Sequence, residues 1–270
     1  VNFVKALPDR KYNAGTKTWS VPLKDSINTI AMLSERGFSV DEDVVHESMK
    51  DQRAAREAEA LAKLDDVPFE SPLPLRDYQR VGVKFLLQVE SGLLGDDMGL
   101  GKTIQSLAVA EAIDAKKVLI FTPASVKWQW RDEIRKFIES DRRTTVIHGT
   151  PKKRQELWHD DDQRFYVANY EQVLKDLEHI NCREWDLIIA DEATKISNPR
   201  AEVSKHIKKI RSKRRIAMTG TPISNRANEI WSIIDFCSPG ALGTHVKFVG
   251  TVTTGPIVIA AAMLGVTRTA

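Results

Sequence analysis

The chain is expected to be an α/β protein built on a doubly wound parallel sheet with helices on both faces, preceded by a small α+β domain. Three observations predict this. Between residues 75 and 238, short apolar runs alternate with stretches of helical period. Those runs are continuous rather than alternating, the pattern of strands buried on both faces. A glycine-rich turn follows the first run and opens a helical stretch, the strand–turn–helix order found at the ligand-binding edge of such sheets.

The elements follow in order. Residues 1–45 read as the small α+β domain. Tyr12 and Trp19-Ser20-Val21 flank the turn cluster Asn13-Ala14-Gly15-Thr16, which predicts a β-hairpin. Ile27, Ile30, Ala31 and Leu33 then recur at helical spacing up to Gly37, a natural stop. Residues 46–73 read as a linker. Its helix, over 46–64, is charged and Ala-rich with a weak apolar face, and Pro68 and Pro72 mark the boundary. From 74 to 244, strand candidates are Leu93-Leu94, Val118–Phe121, Thr145–Ile147, Phe165–Ala168, Leu187–Ala190 and Arg215–Met218. Helical stripes run through Ile104, Leu107, Ala108 and Ala112; through Val126, Trp130, Ile134, Phe137 and Ile138; and through Val203, Ile207 and Ile210.

Composition narrows the class. The 270 residues are 42% hydrophobic and 29% charged with a net charge of +3, which fits a soluble chain able to build a core. The two cysteines, Cys182 and Cys237, have no metal-ligand spacing, so neither a disulfide framework nor a zinc site is expected. With no secretory leader at its start, the chain is expected in the cytoplasm, or in the nucleus if eukaryotic. Residues 245–270 form an atypical tail. No charged residue falls between Phe248 and Thr267, yet Gly255-Pro256 leaves an apolar run about half the ~20 residues of a membrane span, so no membrane partner is expected. Lys205, Lys208, Lys209, Arg211, Lys213, Arg214 and Arg215 form a basic run without an acidic residue, either a phosphate-facing patch or a solvated face.

The chemistry concentrates after the strands. Gly95-Asp96-Asp97-Met98-Gly99-Leu100-Gly101-Lys102-Thr103 has the character of a phosphate loop. Glycines let backbone N–H groups converge on phosphate oxygens at a helix N-terminus. Lys102 can reach the β- and γ-phosphates of a nucleotide triphosphate, and the Thr103 hydroxyl can ligate Mg²⁺. Asp96 stands where the eight-residue pattern has its first glycine. About 90 residues on, the apolar run Leu187–Ala190 ends in Asp191-Glu192-Ala193-Thr194. Asp191 can hold Mg²⁺ through its water shell, and Glu192 can orient and deprotonate an attacking water. Thr219-Gly220-Thr221-Pro222 follows the last run, either a plain turn or a hydroxyl relay of nucleotide state. Gln79, in Leu75-Arg76-Asp77-Tyr78-Gln79, is either a surface residue or a match for the N6/N7 edge of adenine.

These motifs, with Thr122-Pro123-Ala124-Ser125, Trp130-Arg131-Asp132-Glu133-Ile134 and Thr219–Asn225, occur in the order seen in Snf2-type superfamily 2 ATPases, which residues 74–244 resemble. The Asp-x-Met-Gly-Leu-Gly-Lys-Thr form of the loop is specific to that group and accounts for Asp96. The resemblance implies a RecA-like lobe that binds ATP, with Gln79 on adenine, residues Asp96, Asp97, Met98, Gly99, Leu100, Gly101, Lys102 and Thr103 around the phosphates, and Lys102 and Glu192 in catalysis. It sets Thr122, Pro123, Ala124, Asn169 and Tyr170 beside the path of a DNA backbone. Thr194, Thr219, Gly220 and Thr221 would couple nucleotide to DNA, although Thr194 stands where the family more often has His. The implied partner is duplex or branched DNA, read through phosphates with little sequence specificity. A superfamily 2 RNA helicase lobe and a non-catalytic DNA-binding module on the same fold are the competing readings. The family also implies a second RecA-like lobe carrying an arginine finger; the tail after Thr244 departs from that continuation, so a truncated or frameshifted frame with weak turnover is expected. Tyr12 and Thr18–Pro22 resemble the small HARP-type domain of annealing-helicase relatives, which contributes to DNA binding.

Overall fold

The computed structural model describes residues 11–13, 15, 18–20, 70–71, 73–138, 143–221, 229–246 and 248. The chain divides into two compact units, Val1–Ala62 and Lys63–Ala270. In the first, β1 (Lys11–Asn13) pairs antiparallel with β2 (Thr18–Ser20), with Tyr12 opposite Trp19. The Asn13 side chain accepts from the Gly15 N–H at 2.9 Å, the local bond that lets Asn start a turn. The helix expected over 27–37, the charged helix over 46–64, Pro222–Asn225 and the tail from 249 lie outside the described residues. So do Val21 and Pro22 of the residues that resemble a HARP-type domain.

The second unit is a three-layer α/β structure. Strands β3 (Gly92–Leu94), β4 (Val118–Thr122), β5 (Thr144–Val146), β6 (Phe165–Asn169), β7 (Trp185–Asp191) and β8 (Ser212–Met218) form one parallel sheet of order β3-β8-β7-β4-β6-β5. Successive side chains of a strand point to opposite faces. On β4, Val118 and Ile120 enter one apolar cluster while Leu119 and Phe121 enter the other. Helices α1 (Asp77–Val89), α2 (Lys102–Ala112) and α3 (Lys127–Phe137) cover the first face through Val83, Leu86, Leu107, Trp130 and Ile134. Helices α4 (Pro151–Trp158), α5 (Val173–Ile180), α6 (Glu202–Ile207) and α7 (Glu229–Cys237) cover the second through Trp158, Val173, Ile180, Ile207 and Phe236. Burying each such side chain contributes about 1.5–3 kcal/mol.

All six predicted strand runs of this unit form strands. β8 begins at Ser212 rather than Arg215, because its polar start pairs with β7 from Trp185 onward. Four helices have no counterpart among the expected stripes: α1, α4, α5 and α7. In α4 the reason is plain. Of its residues only Trp158 is buried, so no apolar periodicity exists; its signals are Thr150, which caps the Lys153 N–H at 3.3 Å, and Pro151 in the first turn.

The sheet's carboxyl edge gathers the motifs. β3, β8, β7 and β4 are neighbours there, so segments spread from Gly95 to Thr221 in sequence align along one rim. The basic run falls elsewhere. Its first residue, Lys205, pairs with Glu202 within α6, and the rest lead into the start of β8, at the amino edge, where Lys208 pairs with Asp235, Lys213 with Asp186 and Arg214 with Glu90. Arg215 donates to the Ile210 and Phe236 carbonyls. The run is therefore largely used to close the lobe itself. Both cysteines are free; burial pushes the Cys237 thiol up to about 12. Among the described residues no helix is long and apolar enough to cross a membrane.

Candidate functional site

The phosphate loop is shaped by two left-handed glycines, Gly99 at φ +82° and Gly101 at φ +78°. Gly101 is the N-cap of α2 and supplies no side chain, so the first-turn N–H groups of that helix have no side-chain cap. The Lys102 ammonium donates to the carbonyls of Asp96 at 2.8 Å and Asp97 at 3.0 Å. Asp96 accepts from Gln105 Nε2 at 2.8 Å. Burial raises the Asp96 carboxyl above its ordinary value, against the opposing effects of the Gln105 bond and the Lys102 charge. The loop thus carries a latch, Asp96–Gln105, where a simple phosphate loop has glycine. Met98 is largely exposed.

Behind the loop, α1 grips it from below. Gln79 Nε2 donates to the Leu100 carbonyl at 3.0 Å, and its Oε1 accepts from the Arg76 N–H at 3.0 Å. Tyr78 donates to the same Leu100 carbonyl at 3.2 Å. Gln79 is buried, so it is no loose surface residue; its amide bridges α1 to the phosphate loop.

Asp191 and Glu192 end β7 on the same rim. Asp191 Oδ2 accepts from Trp130 Nε1 at 2.8 Å and from Thr122 Oγ1 at 3.1 Å. The Asp191 carbonyl accepts from the Tyr170 hydroxyl at 2.7 Å. Glu192 follows at φ +51°, ψ +55°, a left-handed conformation that costs a side-chain-bearing residue of order 1–3 kcal/mol and concentrates at functional sites. Thr194 caps the Glu192 carbonyl weakly, at 3.5 Å. Thr103, Asp191 and Glu192 line one cavity of 200 Å³, together with Pro123, Gln129, Trp130 and Glu133. The Thr103 hydroxyl and the Asp191 carboxylate are hard oxygen donors, a set whose chemistry suits a hard divalent cation.

Thr219 is fully buried; its N–H donates to the Leu94 carbonyl at 3.2 Å and its hydroxyl accepts from the Thr221 N–H at 3.1 Å. A Cβ on Gly220 would stand 3.0 Å from Met98 Cγ and 3.4 Å from the Met98 nitrogen. The turn after β8 therefore lies directly against the phosphate loop, and a side chain at Gly220 would require Met98 to shift by a few tenths of an ångström.

Of the residues that the resemblance sets on a DNA path, Ala124 is exposed and Pro123 and Asn169 are half-buried. Two of these side chains are held inside the lobe. Thr122 is fully buried and Tyr170 nearly so, and both turn inward onto Asp191. Thr122 closes a strand buried at every residue, and Tyr170 stacks on Phe121 with ring centroids 5.9 Å apart. Asn169 is engaged by Lys127 at 3.2 Å and donates to Glu171 at 2.6 Å, a bond that, with smaller contributions, lowers the Glu171 carboxyl. In the sequence Trp130 stands in an apolar stripe and in a family motif with no role of its own, and Gln105 is not singled out. A signal existed for Gln105: an amide inside the apolar stretch Ile104–Ala110 must find a polar partner when buried.

Comparison with known proteins gives one consistent answer. The SNF2-related domain matches residues 78–257, past Thr244 where the sequence reading ended its match. The mouse DNA excision repair protein ERCC-6-like 2 is 36% identical over 219 residues, which cover 68% of this chain and 14% of that protein. Human TATA-binding protein-associated factor 172 is 32% identical over 206 residues, 67% of this chain and 11% of that protein. Among solved structures, the Sulfolobus solfataricus SWI2/SNF2 ATPase core in complex with dsDNA superposes with a TM-score of 0.60 at 36% identity, over 68% of this chain and 40% of that one. The chain spans well under half the length of each of these relatives.

Proposed function

Because this chain belongs to the SNF2-related domain family, we propose that it is the ATP-binding first lobe of a DNA-dependent ATPase that moves along duplex or branched DNA. One observation carries the reading: Thr103 of the phosphate loop and the Asp191-Glu192 pair line the same cavity, although they lie far apart in sequence. A nucleotide-binding turn and a carboxylate pair on one rim are the parts that phosphoryl transfer to water needs.

In this mechanism the Gly99–Thr103 backbone and the α2 N-terminus receive the phosphates. Lys102 exchanges the Asp96 and Asp97 carbonyls for β- and γ-phosphate oxygens. Gln79 answers to the adenine while its neighbour Tyr78 keeps hold of Leu100. Thr103 would hold Mg²⁺ directly and Asp191 through its water shell; when bound, the ion would neutralise charge on the phosphate oxygens. Glu192 accepts a proton from the water that attacks the γ-phosphorus, as the bond to the β-phosphate oxygen breaks and ADP leaves. A second lobe supplies an arginine to the transition state; in comparable systems that residue is worth 10³–10⁵ in rate. Gly220 carries the nucleotide's effect on Met98 into the turn after β8, and Thr194, Thr219 and Thr221 pass it on. Pro123, Ala124 and Asn169 border the DNA phosphates.

The test is ATP hydrolysis by the 270-residue chain with and without duplex DNA, beside Glu192→Gln. Slow turnover that DNA stimulates, and that the variant abolishes while still binding ATP, is the expected result. Binding of DNA with no ATP affinity would instead favour a non-catalytic module, and stimulation by duplex RNA alone would favour an RNA helicase lobe.

A further inference from the structure

We propose that Trp130 and Thr122 are positioning residues for Asp191: they grip Oδ2 and thereby set the orientation in which the carboxylate meets a metal ion. The inference rests on the reading of Asp191 as the metal-side carboxylate. The indole N–H is a donor only, cannot ionise and is almost fully buried, so it must spend its one bond on a fixed acceptor; that acceptor is Asp191 Oδ2 at 2.8 Å. The Thr122 hydroxyl, equally buried, reaches the same oxygen at 3.1 Å. On the main-chain side, Tyr170 holds the carbonyl of the same residue. Asp191 is thus clamped from the end of β4, from α3 and from the turn after β6.

A second indole–carboxylate bond in the lobe shows what distinguishes this one. Trp158 Nε1 donates to Asp176 Oδ2 at 3.1 Å, but Asp176 also accepts two bonds from the Arg154 guanidinium, at 2.7 and 2.8 Å. There the negative charge is neutralised inside the protein, and the indole completes an ion pair. Among the described residues, the donors on the Asp191 carboxylate are both neutral. They orient it without cancelling its charge, and it lines the cavity that Thr103 also lines. That is the arrangement of residues that orient a carboxylate facing a metal ion's coordination shell, and loss of such supporting partners weakens metal affinity about 10–100-fold.

The experiment measures affinity of the full chain for a fluorescent ADP in EDTA and across a Mg²⁺ titration, with thermal unfolding alongside. The variants are Trp130→Phe, Thr122→Val and, as a control of structure alone, Trp158→Phe. The expected result is that Trp130→Phe and Thr122→Val keep the EDTA affinity within about twofold and raise the Mg²⁺ midpoint about 10–100-fold, while Trp158→Phe loses stability without moving the midpoint. Folded Trp130→Phe and Thr122→Val proteins with the parent's midpoint would overturn the proposal. Should Trp130→Phe fail to fold, the nearly isosteric Thr122→Val decides alone. A parent chain that binds no ADP, or binds it without regard to Mg²⁺, would bring down the site assignment and this inference together; Mg²⁺-dependent binding left unchanged in both variants would sink the inference only.

Discussion

Gly101 shows how much of the site depends on single backbone positions. At φ +78° any side chain is strained by roughly 1–2 kcal/mol. A Cβ there would also fall 2.4 Å from Gln79 Nε2, the atom whose bond to the Leu100 carbonyl ties α1 to the phosphate loop. Gly99 shares the left-handed conformation, at φ +82°, but a Cβ on it meets nothing within 4 Å. Gly101→Ala is therefore expected to cost about 2–4 kcal/mol in urea unfolding and Gly99→Ala about 1 kcal/mol. Equal losses would mean that Gln79 yields freely. Lys102 offers a complementary test. Among the described residues its ammonium bonds only main-chain carbonyls of the loop, so Lys102→Ala should leave stability within about 0.5 kcal/mol while lowering ATP affinity at least tenfold in calorimetry. Unchanged affinity would refute the assigned site.

At the scale of elements, the α4–α5 pair is held by a charge that the site does not use. Arg154 and Asp176 are both nearly buried, with side-chain exposures of 12% and 4%. Burial alone would raise the Asp176 carboxyl, but the bonds from Arg154 and Trp158 and the Arg154 charge outweigh it and hold the group below its ordinary value. A depressed carboxyl contributes stability that is complete above its unfolded value, near 3.9, and is lost as pH falls through the folded one. Asp176→Asn leaves a buried guanidinium uncompensated, at a cost of about 3–5 kcal/mol near neutral pH. The difference between parent and variant should stay constant from about pH 7 to 5 and shrink below about pH 4. A difference that does not narrow in acid would mean that the loss comes from packing rather than from the charge.

Over the whole molecule, charge is distributed by edge rather than by total. The net +3 implies only mild attraction to a polyanion, and the densest basic run pairs with Glu202 within α6 and with Asp235, Asp186 and Glu90 at the amino edge. If the proposed DNA path at the carboxyl edge makes about three phosphate contacts, affinity should fall on the order of 40-fold between 50 and 200 mM salt, alike for unrelated duplex sequences. Lys213→Ala, at the other edge, should not alter it. A strong effect of Lys213→Ala in fluorescence anisotropy would move the path to the amino edge.

The sequence by itself determined the local grammar of the lobe. Val118–Phe121 and Leu187–Ala190 are legible as doubly buried strands because an uninterrupted apolar run has few other places to go, and Gly99–Thr103 is legible because a turn at a helix start needs glycine and a cation near phosphate. The helix α4 was not legible, since its one buried side chain leaves no period to read. Tertiary structure alone decided what Asp191 touches. Trp130 and Thr122 lie 61 and 69 residues from it, and nothing in their neighbours marks one as the donor to a carboxylate or the other as turned inward. Strand order made that choice. By setting β7 between β8 and β4, the sheet brought the carboxylate, the indole and the phosphate loop to one rim, and contacts between strand ends follow from pairing in space, not from spacing along the chain.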